Sequence, residues 1–240
     1  NTMVSNTTGF SNTAIGAYNL NSNISGEHNV AVGTSCLSGN QTGGYNIALG
    51  LYSLYNNQAG SYNVSLGLKA LYGSYTPSNA IAIGGYALYN APIATQTIAI
   101  GDSTLMWNNG VENMAIGSRA LRANTTADYN TAVGYTALMN NLGERNTAVG
   151  SRSLKSNTTG VRNTSLGFQS LSQNTTGVDN TGLGQNALIN NTIGFENTAV
   201  GSRALEANQQ GDLNTAVGTY ALNANTGDRN TAVGNGALKL

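Results

Sequence analysis

The sequence predicts an all-β chain wound as a parallel β-solenoid of about fourteen rungs of 16–17 residues. Three observations carry that expectation. A segment of the form Asn-Thr-Ala-Val-Gly-x-x-Ala-Leu returns fourteen times, its glycine marking the period from Gly16, Gly33 and Gly50 through Gly218 and Gly234. Each return holds two obligate aliphatic positions. Between returns lies a short polar loop such as Asn157-Thr158-Thr159-Gly160. A period this short, kept from end to end, means stacked units that are each too small to bury a core alone. Helix is opposed by the β-branched residues, by a glycine in every rung and by the Asn/Thr/Gly loops.

One rung can be read residue by residue, with its Asn as position 0. That Asn occurs in twelve of fourteen rungs, missing only at Ala80 and Thr97, and stacked Asn side chains can hydrogen-bond up and down a ladder. Position 3 is always Val, Ile or Leu, from Ile15 to Val233, and position 8 is always Leu, from Leu20 to Leu238. Two apolar positions five residues apart, with Gly at position 4 between them, predict two short strands joined by a corner, both apolar positions facing inward. Position 2 is small throughout, with eleven Ala plus Ser65, Ser165 and Gly182. Position 7 is nearly as strict, with eight Ala among Ser, Cys36, Thr104 and Asn19. Side chains alternate across a strand, so position 2 is expected to face outward. Its small strip then reads as a contact surface between identical chains. The alternative is that a thin solenoid needs small residues in its own interior.

Composition narrows the function. Only 8% of residues are charged, against about a quarter in ordinary soluble domains. Ten basic residues cancel ten acidic ones, so no electrostatic footprint for nucleic acid exists. No run of about 18 apolar residues occurs, so no membrane insertion is expected of this segment. At 240 residues with one repeat throughout, the whole chain, 1–240, reads as a single solenoid domain. Asn6-Thr7-Thr8-Gly9 matches the loop half of a rung, so the chain starts inside a repeat and reads as a fragment of a longer protein.

The chemistry of an enzyme is not assembled. The single histidine, His28, cannot supply the ligand count zinc needs, and as a base it lacks a placed nucleophile. Cys36 sits at position 7 and reads as a small buried residue, with no disulfide partner in the chain. The carboxylates fall singly in loops, most just before position 0, where a solenoid glycosidase would need a converging pair. Neither a calcium nonapeptide nor a phosphate loop appears. The expectation is no catalytic residue, no metal site and no cofactor.

The repeated Asn-x-Ala-[Val/Ile]-Gly resembles the head repeats of trimeric autotransporter adhesins, the YadA-like heads, over residues 12–238. It is also similar to Asn-Thr-Ala-Val-Gly repeats of phage tail fibres. The resemblance implies a left-handed β-roll, three chains side by side, and an adhesive role on a cell surface or virion. The rung is longer than the adhesin pattern, and no neck, heptad stalk or anchor is visible here.

A binding patch is sought where the repeats differ. Nine of twelve tyrosines fall within the first 89 residues, near Pro77 and Pro92. Position 9 reads Tyr55, Tyr72, Tyr89 and Met106 in successive rungs, with Tyr52 and Tyr86 at position 6 nearby. Tyr52, Tyr55, Tyr72, Tyr86 and Tyr89 are therefore the candidate ligand-binding residues, either offering rings to a glycan or host receptor, or stacking to stabilise the solenoid. In the C-terminal half, position 1 is Thr from Thr131 to Thr231, which raises an ice-binding alternative, opposed if position 1 faces inward with position 3. The reading is an extracellular adhesive fibre segment, homotrimeric, attaching to a surface or host receptor. The alternatives are a phage tail-fibre shaft or a purely structural filament.

Overall fold

The computed structural model describes residues 2–239, and among them it holds fourteen strands and no helix. By its contacts the chain falls into two compact units, Asn1–Arg119 with Asn124–Thr126, and Ala120–Ala123 with Ala127–Leu240. The first unit contains β1 (Thr13–Ala17), β2 (Val30–Thr34), β3 (Ile47–Leu51), β4 (Val64–Leu66), β5 (Ile81–Ile83), β6 (Ile98–Ile100) and β7 (Met114–Ile116). The second contains β8 (Thr131–Val133), β9 (Thr147–Val149), β10 (Thr164–Leu166), β11 (Thr181–Leu183), β12 (Thr198–Val200), β13 (Thr215–Val217) and β14 (Thr231–Val233). Within each unit every strand pairs in parallel with the next, position to position, as with Ala31 on Ala48 and Ala199 on Ala216. The fold is a parallel β-solenoid.

Each rung has one strand, where two were expected. Positions 1 to 3 are extended, and the arm that carries the Leu is a string of turns. Its residues at positions 6 and 8 take left-handed backbone conformations, as does position −1: Arg152 at φ 61°, Leu154 at 47° and Arg145 at 58°. Three such residues in every rung is unusual, since this region suits few L-residues. Hydrogen bonds between rungs hold them there. The amide of Arg152 donates to Tyr135 O and that of Leu154 to Ser170 O.

The strand faces are reversed from the sequence reading. Position 2 points into the solenoid and positions 1 and 3 point out. Ala48 and Ser165 are fully buried, whereas Leu49 is 39% and Leu166 49% exposed. The Leu column at position 8 is interior as expected, from Leu20 through Leu205. The physical reason is thickness. The strand of one rung lies against the position-7 residue of the rung before it, and the gap admits one small side chain from each. Where both are Ser they bond across it: Ser53 Oγ to Ser65 Oγ at 2.7 Å, and Ser153 Oγ to Ser165 Oγ at 2.6 Å. Cys36 fills the same column, fully buried, its thiol 2.7 Å from Gly50 O. Burial pushes that thiol above its ordinary pKa, so it is held as neutral packing.

Two asparagine ladders close the other end of most rungs. At position 0, Asn180 Oδ1 accepts from the amide and Nδ2 of Asn197, while Asn180 Nδ2 donates to Gly194 O. A second ladder runs at position 11, as in Asn40 Nδ2 to Asn23 Oδ1 at 2.7 Å. The three 16-residue rungs lose one residue between this Asn and the following Gly. The side chain still reaches that carbonyl, Asn141 bonding Gly143 O two residues on where Asn157 bonds Gly160 O three residues on. Register therefore survives the deletion.

The glycine at position 4 is required by both conformation and space. Gly150 has φ 128°, and a Cβ there would lie 2.5 Å from Gly167 O and 2.7 Å from Gly167 C. That is backbone of the next rung, which cannot give way.

Candidate binding surface

Two surfaces stand out. The first is the outward face of the strands. In the first unit, β2 through β7 present Val, Ile, Leu or Met at positions 1 and 3, every one at least partly exposed. In the second unit, Thr at position 1 alternates with Val or Leu at position 3 on the same outward face. Aligned apolar columns on a protein surface are where an interaction face is sought. The small residues at positions 2 and 7 are interior and contribute nothing to it. That corrects the expectation that they form a contact between chains.

The second surface is the tyrosine edge. All five tyrosines singled out in the sequence are half-buried and meet in one cluster. Tyr55, Tyr72 and Tyr89 stack at 5.3 and 5.4 Å, within 9° of parallel. Tyr52 stands edge-on to Tyr55 and Tyr72, Tyr86 stands against Tyr89, and Trp107 closes the stack from above. Ring faces are thus taken up by neighbouring rings. Lys69 shares the position-6 column with Tyr52 and Tyr86, and its Nζ lies 5.5 Å from the ring centre of Tyr72 and 5.9 Å from that of Tyr89. The cluster sits where both Asn ladders lapse. Position 11 is Ser74 and Ala91 there, and position 0 is Ala80 and Thr97. Aromatic stacking supplies rung-to-rung cohesion in place of the missing amides.

Other singled-out residues have structural settings. His28 lies between Phe10, edge-on at 5.3 Å, and Tyr45, stacked at 4.8 Å, and Tyr45 stacks on Tyr62. This second aromatic column, at the strand's other edge, went unread in the sequence although Tyr45 and Tyr62 share position −1. Two loop carboxylates cap backbone amides: Asp212 Oδ1 accepts from Phe195 N, and Asp228 Oδ1 from Asp212 N. Asp179 instead pairs with Arg162 at 2.7 Å through both nitrogens. Hydrogen bonding from that guanidinium holds the Asp179 carboxyl below the usual carboxylate range. Among the described residues no three His, Cys, Asp or Glu side chains are grouped to hold a metal. No helix of the described residues is long and apolar enough to cross a membrane. A cavity in the second unit, about 320 Å³, is lined by Leu222, Asn225, Thr226, Asn230 and Leu238, with no titratable group.

Compared with protein-family models, curated proteins and solved structures, the chain matches none of them.

Proposed function

We propose that the chain is a non-enzymatic, extracellular adhesive fibre segment that assembles as a homotrimer and mediates attachment to a surface or host receptor. The observation that supports this reading is the outward aliphatic face. Twelve side chains at positions 1 and 3 of β2–β7 lie in two parallel columns, exposed in the single chain. Fully burying one such side chain is worth about 1.5–3 kcal/mol, and residues exposed by two-fifths or less keep roughly a third of that or less in reserve. Twelve give on the order of 5 kcal/mol, at the lower end of the ~4–15 kcal/mol that association costs. A second copy of the same face satisfies it in register, since identical rungs repeat at one spacing. The resemblance to YadA-like heads points to three chains and to display on a cell or virion. The test is attachment of chain-coated beads to host-cell monolayers and bare polymer surfaces, beside a chain carrying Leu49→Lys and Leu66→Lys. The assembled chain should hold beads under flow and the altered chain should release them. Equal release of both would remove the adhesive reading.

A second reading has an observation of its own. Thr131, Thr147, Thr164, Thr181, Thr198, Thr215 and Thr231 occupy the outward face of the second unit, one per rung. An inward position 1 would have opposed ice binding, and position 1 faces out. Thermal hysteresis in a freezing assay would support that reading, and its absence at millimolar chain would end it.

A further inference from the structure

We propose that the tyrosine edge of the first unit is a binding site for a carboxylated saccharide, with Lys69 as its anion-binding centre. The proposal rests on the adhesive reading and names the ligand class that reading lacks.

Little of the cluster's ring surface is left to offer a ligand. The faces of Tyr55, Tyr72 and Tyr89 are spent on one another, and Tyr52 and Tyr86 set their edges against them. A sugar cannot lie flat on rings that are already stacked. What remains is the rim of the stack, its phenol oxygens and one ammonium. Among the described residues, none of these five hydroxyls hydrogen-bonds to another protein group, whereas Tyr220 takes one from Arg203. Lys69 forms no ion pair either. What sets the place apart is convergence: five phenols and one ammonium meet on one edge, where the chain's other tyrosines stand singly or as the Tyr45–Tyr62 pair.

Their chemistry selects the ligand. A phenol both donates and accepts, which suits a partner dense in hydroxyl groups. One stacked column repeats the phenol at each rung, about 4.8 Å apart, so consecutive groups of an extended ligand can be met in turn. Lys69 supplies three donors and a full positive charge, half-withdrawn from water among the rings, where attraction to an anion is stronger. The charge is solitary. The next cation in its column is Arg119, three rungs on and roughly 14 Å away. A single ammonium fits an isolated carboxylate. It does not fit a densely sulfated chain or a nucleic acid, whose affinity grows with the number of phosphates neutralised.

The experiment is calorimetric titration of the whole chain with alginate oligosaccharides as the uronate probe. The comparison ligands are the same oligosaccharides after carboxyl reduction, a heparin oligosaccharide and an oligoglutamate peptide. The wild-type chain is expected to bind alginate. Lys69→Gln should weaken binding at least tenfold and Lys69→Arg should restore most of it. Tyr72→Phe with Tyr89→Phe, which keeps the stack and deletes two hydroxyls, should weaken it several-fold. Lys155→Gln, in the second unit, should bind like wild type. The proposal is overturned if wild type binds no alginate, if Lys69→Gln binds equally well, or if the carboxyl-reduced sugar binds as tightly. Tighter binding of heparin or oligoglutamate overturns it too, in favour of a sulfated or peptide partner. A chain that binds alginate through Lys69 while its beads attach nowhere supports this site and removes the adhesive reading. Beads that hold with no alginate bound do the reverse.

Discussion

Gly182 is the one position-2 residue with no side chain, and the structure gives the reason and a way to reverse it. A Cβ built on Gly182 would lie 2.6 Å from Ser170 Oγ and 3.3 Å from Cδ1 and Cγ of Leu171. Ser170 is fully buried, its hydroxyl 2.9 Å from Gly182 O and 3.2 Å from Ala187 O. Gly182→Ala must therefore turn that hydroxyl away from its acceptors, and a stranded buried polar group costs about 1–3 kcal/mol. Replacing Gly stiffens the unfolded chain and returns roughly 0.4–1 kcal/mol. The net destabilisation is about 1–2 kcal/mol. For a chain of this size that lowers Tm by roughly 2–8 °C. Ser170→Ala in the same chain removes the obstacle and recreates the pairing of Ala187 with Ala199 found one rung later. The double variant should melt within about 2 °C of wild type. Melting followed by circular dichroism decides it. If Gly182→Ala melts no lower than wild type, or if Ser170→Ala fails to rescue it, position 2 is not interior and the two-layer packing is wrong.

Three further predictions follow from the backbone, the ladder and the charges. Asn180→Ala strands the buried Asn197 amide and the Gly194 carbonyl, and should cost roughly 2–4 kcal/mol in urea unfolding, with the first unit's spectroscopic signals the last to change. Thr136 is the one β-branched residue at a left-handed position, φ 55°, and its buried hydroxyl has no partner; Thr136→Asn should raise stability by about 0.5–1 kcal/mol, read as an increased denaturation midpoint. Asp179 has its pKa lowered in the fold, so its contribution is present above the ordinary carboxylate range and disappears as pH falls through the folded value. Asp179→Asn should therefore melt slightly below wild type at pH 7 in low salt, and the two should coincide in strong acid or in 1 M salt.

The fold was legible because its rule is repeated fourteen times. The period gave the rung, the invariant Leu gave the interior column, and the Asn at position 0 gave the ladder. Orientation of the strand was not legible from alternation alone. Alternation shows that Ala48 and Leu49 face opposite ways, and assigning the aliphatic one to the interior is the natural guess for a self-contained chain. The guess fails because the gap admits one small side chain from each layer, and the aliphatic column is left on the outside. The signal was present in Ser53 with Ser65 and Ser153 with Ser165, which change together across positions 7 and 2 of neighbouring rungs. The turn-rich second arm was missed because left-handed Leu, Tyr and Arg have no compositional signature; only glycine and asparagine announce that conformation. The five tyrosines could be grouped from their spacing. Lys69 could not, since a lone lysine at position 6 looks like any solvated charge until its neighbours above and below are known.

The most direct test of the account is the mass of the whole chain by light scattering, measured from nanomolar to millimolar concentration, with and without Leu49→Lys and Leu66→Lys. The chain mass is 24.7 kDa. The account predicts a stable mass of three chains that falls toward one when the outward face is charged. A wild-type chain that stays monomeric at every concentration would mean that the aliphatic columns face water on their own, and would contradict it.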